Sequence, residues 1–213
     1  IYTCHLSKNP KYRIWDEYFH QQSAPKAVRN RKEYFKTVVK KRFSKGGNVL
    51  NVASGPARDL YELFLENPGL DLKVTCVEMD GNAIEYAKNV SKEFLSQIDF
   101  IQKNVFRFQT TEKFDLIWSA GLFDYFDDKA FILLLKRFKC WIKPGGEIII
   151  GNFNDNHNPS RDYMELFGEW FLNHRSEEQL VALARNAGFM DEEISIGSEP
   201  ENVNLFLHIK KYS

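Results

Sequence analysis

The chain has 213 residues, 43% hydrophobic and 27% charged, with zero formal net charge, a size and balance suited to one well-buried globular domain. No apolar run approaches the roughly 20 residues of a bilayer-spanning helix, no signal-type leader pattern is visible, and three cysteines without a CxxC spacing (Cys4, Cys76, Cys140) argue against a disulfide framework or a metal site. Charge is uneven: residues 1–47 hold 12 Lys and Arg against 3 Asp and Glu, and the remainder holds 17 against 26. A basic segment of this kind either docks on an acidic body or serves an acidic partner. Cys76 and Cys140 sit in apolar stretches and read as small buried hydrophobes in a reducing, cytoplasmic compartment.

Residues 11–22 place Ile14, Trp15, Tyr18 and Phe19 at helical spacing, and such apolar residues suggest packing. A second helix is predicted after Pro25, through Val28, Tyr34, Phe35, Val38 and Val39, ending at Gly46-Gly47. From residue 48 the rhythm changes. Strands are predicted at 48–53, 72–79, 98–102, 114–120 and 147–153, with helices at 57–67, 80–95, 127–142 and 176–189. Asp80 and Ser176 are placed as N-caps, and Gly188 as a helix stop. Two closing strands, joined by the short "SEPEN", read as a hairpin whose final strand is antiparallel. The alternation argues for a doubly wound α/β sheet, mostly parallel, with residues 1–47 as an N-terminal helical cap and 48–213 as the main domain.

Ligands of open parallel sheets bind outside the carboxyl ends of the strands. After strand 1 comes "ASGPARD", where Gly55 permits close backbone approach and the next helix presents free N–H groups. After strand 2 comes Glu78, an acceptor-only group that suits a vicinal diol. A dinucleotide would want G-x-G-x-x-G and a P-loop would want GK[ST]; neither occurs. S-adenosylmethionine has a ribose and an adenine but no phosphate, and matches what is present.

From residue 48 onward the chain resembles class I S-adenosylmethionine-dependent methyltransferases. "VLNVASGPARD" resembles the first cofactor motif, an acid-x-Gly-x-Gly-x-Gly run. "VTCVEMD", "IQKNVF" and "FDLIWSAGLFDY" resemble the next three, and "LKRFKCWIKPGGEIIIGNF" resembles the helix, turn and strand that follow. The resemblance implies a Rossmann-like sheet of seven strands in the order 3-2-1-4-5-7-6, with strand 7 antiparallel. It implies that Gly55, with Ala53 and Ser54, lines the methionine and ribose side, and that Glu78 binds the ribose hydroxyls. Met79 would pack on the adenine, Asn104 and the Val105 amide would read its edge, and Ser119, Ala120 or Gly121 would offer a carbonyl to the methionine ammonium. Asn51 stands in place of the motif's acid and either still helps hold the methionine end or only supports the turn. Ala53 and Ala57 replace glycines. Alanine disfavours positive φ, so a somewhat altered loop path is expected.

The resemblance implies methyl transfer to a small-molecule acceptor, with S-adenosylhomocysteine as product. No "[DN]PP[YFW]" follows strand 4, which argues against nucleobase amines. The segment 152–175 leaves strand 5 and should lie over the site; it resembles bacterial methyltransferases linked to methyl esters of hydroxy fatty acids. It supplies His157 and Tyr163 as candidate catalytic groups and Arg161 and Arg175 as candidate anion-binding groups, joined by Arg29 and Arg31 of the basic segment. A carboxylate acceptor would need no base; a hydroxyl would. Two alternatives stand beside this: methylation of RNA or another polyanion through the basic segment, and a non-catalytic binder of the cofactor.

Overall fold

A computed structural model describes residues 1–212. Seven strands form one sheet in the order β3-β2-β1-β4-β5-β7-β6. They are β1 (Gly47–Val52), β2 (Leu72–Glu78), β3 (Ile98–Gln102), β4 (Phe114–Ser119), β5 (Ile142–Phe153), β6 (Ile194–Ser198) and β7 (Asn204–Lys210). The first five run parallel, and β7 is antiparallel to both β5 and β6. The Rossmann-like order implied by the sequence motifs is therefore present in full. Strand order reverses at β1, which lies between β2 and β4, and this is where such sheets open a crevice.

The strands are apolar on both sides because helices cover both sides. On one face, Leu50, Val52, Ile117, Ile148 and Ile150 pack with Phe131, Leu134 and Phe138 of α5 (Asp128–Trp141) and Leu180 and Leu183 of α7 (Glu177–Asn186). On the other, Val49, Val74, Cys76, Leu116 and Trp118 pack with Leu60, Leu63 and Phe64 of α3 (Arg58–Glu66) and with Phe35 and Val39 of α2 (Ser23–Arg42). The caps fall at the predicted residues. Asp80 accepts from the Asn82 amide at the start of α4 (Gly81–Val90), and Ser176 and Gln179 close a capping box on α7. Gly188 takes φ +91 just past α7, where glycine relieves the left-handed turn.

Three expectations are corrected. The helix α1 (Pro10–Gln21) has no buried side chain; Tyr12, Ile14, Trp15 and Tyr18 are exposed. Helical spacing fixes which side chains share a face but not whether a partner covers it. Cys140 lies on the exposed side of α5, whereas Cys76 is buried. Strand β5 begins at Ile142, before Pro144-Gly145-Gly146, so α5 ends at Trp141 and the Pro-Gly-Gly run lies within the extended strand opposite a bulge near Phe114.

The charge asymmetry resolves within the chain. Lys32 pairs with Glu62 at 2.5 Å, Lys36 with Glu66 at 2.6 Å, Lys40 with Glu66 at 2.9 Å, and Arg42 with Glu147 at 2.8 Å. Four cations of α2, Lys32, Lys36, Lys40 and Arg42, are thus engaged by acids of α3 and β5.

Candidate functional site

The loop between β1 and α3 keeps three left-handed residues at alternate positions: Ala53 (φ +55), Gly55 (φ +52) and Ala57 (φ +47). This corrects the expectation that the alanines would avoid positive φ. The backbone follows a path suited to three glycines, and each alanine holds it against an intrinsic penalty of about 1–2 kcal/mol. The surroundings over-determine the path. The Ala53 amide donates to the Val77 carbonyl at 2.8 Å, and the Gly55 amide donates to Oε2 of Glu78 at 2.8 Å. The other oxygen of Glu78 accepts from the amides of Met79 (2.7 Å) and Asp80 (3.0 Å). Glu78 therefore ties the ends of β1 and β2 together. A carboxylate offers about four lone-pair sites, so acceptor capacity remains.

Two cavities meet at Ala53. One is an apolar slot of about 190 Å³, walled by Val77, Met79, Val105, Phe106, Leu122 and Phe126, with Glu78 and Asn104 at its polar margin. Met79 is 65% exposed and contributes a lip, and the Asn104 amide nitrogen lies 3.7 Å from its sulfur. Asn104 also caps the following turn, accepting from the Phe106 amide at 2.9 Å. The other is a chamber of about 350 Å³ with a mixed lining, in which Asn51, Ser54 and Asp59 stand among Val28, Pro56, Ala57 and Trp118, with Gly121 at its side and Tyr2 and Arg31 over it. A larger cavity, about 550 Å³, opens between the starts of α5 and α7 and is lined by none of the residues that follow β1 or β2.

The chamber is electrostatically unusual. Asn51 Nδ2, Ser54 Oγ and Arg31 Nε are buried without a hydrogen-bond partner among the described residues. Arg31 is only 7% exposed. Its Nη1 donates to the Ala120 carbonyl and lies 3.4 Å from Asn204 Oδ1 and 3.8 Å from Asp124. Asp124 is buried between Arg31 and Arg175, and burial pushes its carboxyl up to about 6 against their opposing pull. Burial likewise pushes the Asp59 carboxyl up to about 6, the Leu60 amide being its nearest donor. Tyr2 remains partly exposed as a residue, but its hydroxyl end is enclosed beside Arg31 and Asp59, and burial raises its pKa.

The structure brings Asn51, Ala53, Ser54, Gly55, Glu78, Met79, Asn104, Val105, Ala120 and Gly121 around the two joined cavities. Ser119 is fully buried, its hydroxyl donating to the Val52 carbonyl at 3.1 Å, and it lines neither cavity. The Ala120 carbonyl already accepts from Arg31.

The cap residues fare differently. Arg175 is buried, not solvent-facing, and its donors are engaged by the chain: Asn152 Oδ1 at 2.9 Å, the Phe126 carbonyl at 2.6 Å, the Phe123 carbonyl at 3.2 Å and Asp128 at 3.0 Å. It cannot reach an acceptor molecule without breaking them. Arg161, in the short helix α6 (Arg161–Phe167), pairs with Asp155 and Glu165, each at 2.9 Å. Arg29 donates to the His20 carbonyl at 2.7 Å. His157 is exposed in the loop before α6. Tyr163 packs edge-on against Tyr18 at 5.3 Å and stacks on Phe167, and burial raises its pKa, which disfavours a phenolate base. None of these five side chains lines the slot or the chamber.

Sequence reasoning passed over Asp59 and Tyr2 and gave Arg31 only a minor place. Asp59 stood inside the first motif, directly after Arg58, so its position was visible. Its enclosure was not.

The fold and the joined cavities define a Rossmann-like methyltransferase architecture. The family described as a methyltransferase domain matches residues 43–194, and the chain belongs to that family. The resemblance to class I S-adenosylmethionine-dependent methyltransferases thus holds for family and fold. No curated protein matches the sequence. Among solved structures, a possible exported protein from Bordetella parapertussis is similar at TM-score 0.80 and 20% identity, over 98% of this chain and 75% of that one. An O-methyltransferase family protein from Burkholderia thailandensis is similar at TM-score 0.65 and 18% identity, over 87% of this chain and 57% of that one. The N-methyltransferase NodS from Bradyrhizobium japonicum WM9, in complex with S-adenosyl-L-homocysteine, is similar at TM-score 0.60 and 16% identity, over 85% of this chain and 87% of that one. Among the described residues no helix is long and apolar enough to cross a membrane.

Proposed function

We propose that the chain transfers the methyl group of S-adenosylmethionine to a small-molecule acceptor. The observation that carries this is the junction at Ala53 of an apolar slot, a diol-compatible carboxylate and a chamber that holds unsatisfied polar groups. The residues fit the cofactor's three parts. Val77, Val105, Leu122 and Phe126 offer apolar walls for a purine, with Asn104 at its edge. Glu78 offers acceptors for the ribose hydroxyls. The chamber's unsatisfied Asn51, Ser54 and Arg31 suit a charged end. When bound, the cofactor supplies an electrophilic methyl on a sulfonium. The chain's contribution is alignment and exclusion of water, worth up to about 7–11 kcal/mol in favourable cases.

The acceptor is best read as an acyl-type metabolite offering a carboxylate or hydroxyl. Val28 and Trp118 in the chamber wall suit an apolar portion, and of the two arginines lining the chamber Arg58 is paired with Glu62, which leaves Arg31 as the candidate for an anionic group. A carboxylate acceptor needs no base, and among the described residues no histidine lines either cavity. A polyanionic acceptor is less well supported, because Lys32, Lys36, Lys40 and Arg42 are paired internally. The test is incubation with methyl-labelled S-adenosylmethionine and a cell extract. Label in the organic-soluble acid or ester fraction is the expected result. Label in nucleic acid, or none anywhere, would overturn this reading.

A further inference from the structure

The cap leaves one apolar face uncovered. Helix α1 has no buried side chain, and Ile14, Trp15 and Tyr18 stand in one stripe of it, Ile14 being 69% exposed. The stripe continues into α6. The Tyr18 ring meets Tyr163 edge-on at 5.3 Å, and Tyr163 stacks on Phe167 at 5.5 Å. Phe167 is 75% exposed, and Leu166 beside it is equally open. Single exposed apolar residues need no explanation, but a contiguous patch marks an interaction site. The exposed parts of these side chains come to about 500–700 Å². With their polar margins they approach the roughly 800 Å² per partner that a stable interface buries.

The two ends of the stripe carry opposite charges. Lys11, in line with Trp15 and Tyr18, lies in the first turn of α1, which holds no acid. A cation there opposes the helix dipole, and an acid supplied from outside would offset it. At the other end, directly after α6, Glu169 is exposed. Neither Lys11 nor Glu169 forms an ion pair among the described residues, whereas nearby Arg13 pairs with Glu17, and Arg161 with Asp155 and Glu165. A face that is apolar in the middle, with a cation at one end and an anion at the other, is complementary to a copy of itself turned about a two-fold axis.

We propose that this face joins two copies of the chain in an isologous dimer. The axis passes near Tyr18 and Tyr163, Trp15 of each copy lies on Phe167 of the other, and Lys11 meets Glu169 at either end. An anionic bilayer fits the face less well, because Asp162 and Glu169 flank the apolar residues of α6. The dimer is independent of the methyl-transfer reading.

The test is sedimentation velocity on the full chain from about 1 to 100 µM, a span that suits an interface of this size. A concentration-dependent dimer is the expected result. Trp15→Glu should weaken it by about a hundredfold or more, with an unchanged circular dichroism spectrum, because Trp15 is exposed in the single chain. Lys11→Glu and Glu169→Lys should each weaken association by about tenfold, since each sets like charges together twice per dimer. Lys11→Glu favours the dipole of α1, so its effect does not come from a weakened helix. Both substitutions in one chain should restore the dimer, because every pair again has opposite signs. A chain that stays monomeric overturns the proposal. So does a dimer indifferent to Trp15→Glu, or a double variant no better than the single ones. A monomer that instead sediments with phosphatidylglycerol vesicles also overturns it and makes the face a membrane surface.

Discussion

The loop at 51–59 and the segment at 152–175 both leave the carboxyl end of a central strand, and both are rich in polar residues. They differ in what those residues do. In the segment, polar groups engage one another: Arg175 with Asn152, Asn154 with the Asn202 carbonyl, and Asn158 with His174. In the loop, Asn51 Nδ2 and Ser54 Oγ are left without partners among the described residues, beside the enclosed Asp59. Buried polar groups are ordinarily satisfied, so the segment is a buttress, and the loop is shaped for something that arrives later. Polar content alone does not separate the two.

Replacing Arg175 is the sharpest way to break this contrast. Arg175→Met removes a buried cation and leaves the Phe123 and Phe126 carbonyls and Asn152 without their donor. The expected loss is about 3–5 kcal/mol of stability, read by urea unfolding. The affinity of the remaining folded protein for S-adenosylhomocysteine should stay within about threefold. Unchanged stability with selective loss of acceptor turnover would return Arg175 to the acceptor site and make the segment functional.

Glu78 tests the other region. Glu78→Ala should weaken S-adenosylhomocysteine by about a hundredfold or more, since two hydroxyl contacts to a charged acceptor are lost together. Glu78→Gln keeps one side-chain carbonyl and should fall between the variant and the wild type. Calorimetry reads both. If affinity barely changes in Glu78→Ala, the diol assignment is wrong and the slot serves another ligand. Circular dichroism separates this from loss of structure, because Glu78 also anchors the Gly55 and Met79 amides.

The alternation of strands and helices was legible in the backbone periodicity, whereas the sheet order and the slot were implied by the resemblance of the ordered motifs. Strand spacing placed Glu78 and Asn104 at strand ends, and Asp80, Ser176 and Gly188 set helix ends through local chemistry. The groups over the chamber were not legible. Arg31 reaches it from α2 and donates to Ala120, a partner 89 residues away. Nor could spacing tell that Arg175, next to a helix cap, turns inward while His157 stays in solvent. Those outcomes depend on which long-range partners close around a side chain.

The smallest expected effect concerns the loop's own path. Ala53 holds φ +55 with a side chain that disfavours it. Ala53→Gly relieves about 1–2 kcal/mol of backbone strain, while the freer unfolded chain offsets about 0.4–1 kcal/mol. The net is a gain of about 0.5–1 kcal/mol in urea or thermal unfolding, with cofactor affinity unchanged within about twofold because the path is already glycine-like. Gly55→Ala should lose a similar amount, since a Cβ there meets nothing within 4 Å and only the angle (φ +52) opposes it. Ala57 is the poorer probe, because it is buried and its methyl contributes packing that glycine would forfeit. If Ala53→Gly destabilises instead, the left-handed angle is not strained, and the loop's polar contacts rather than its backbone define the site.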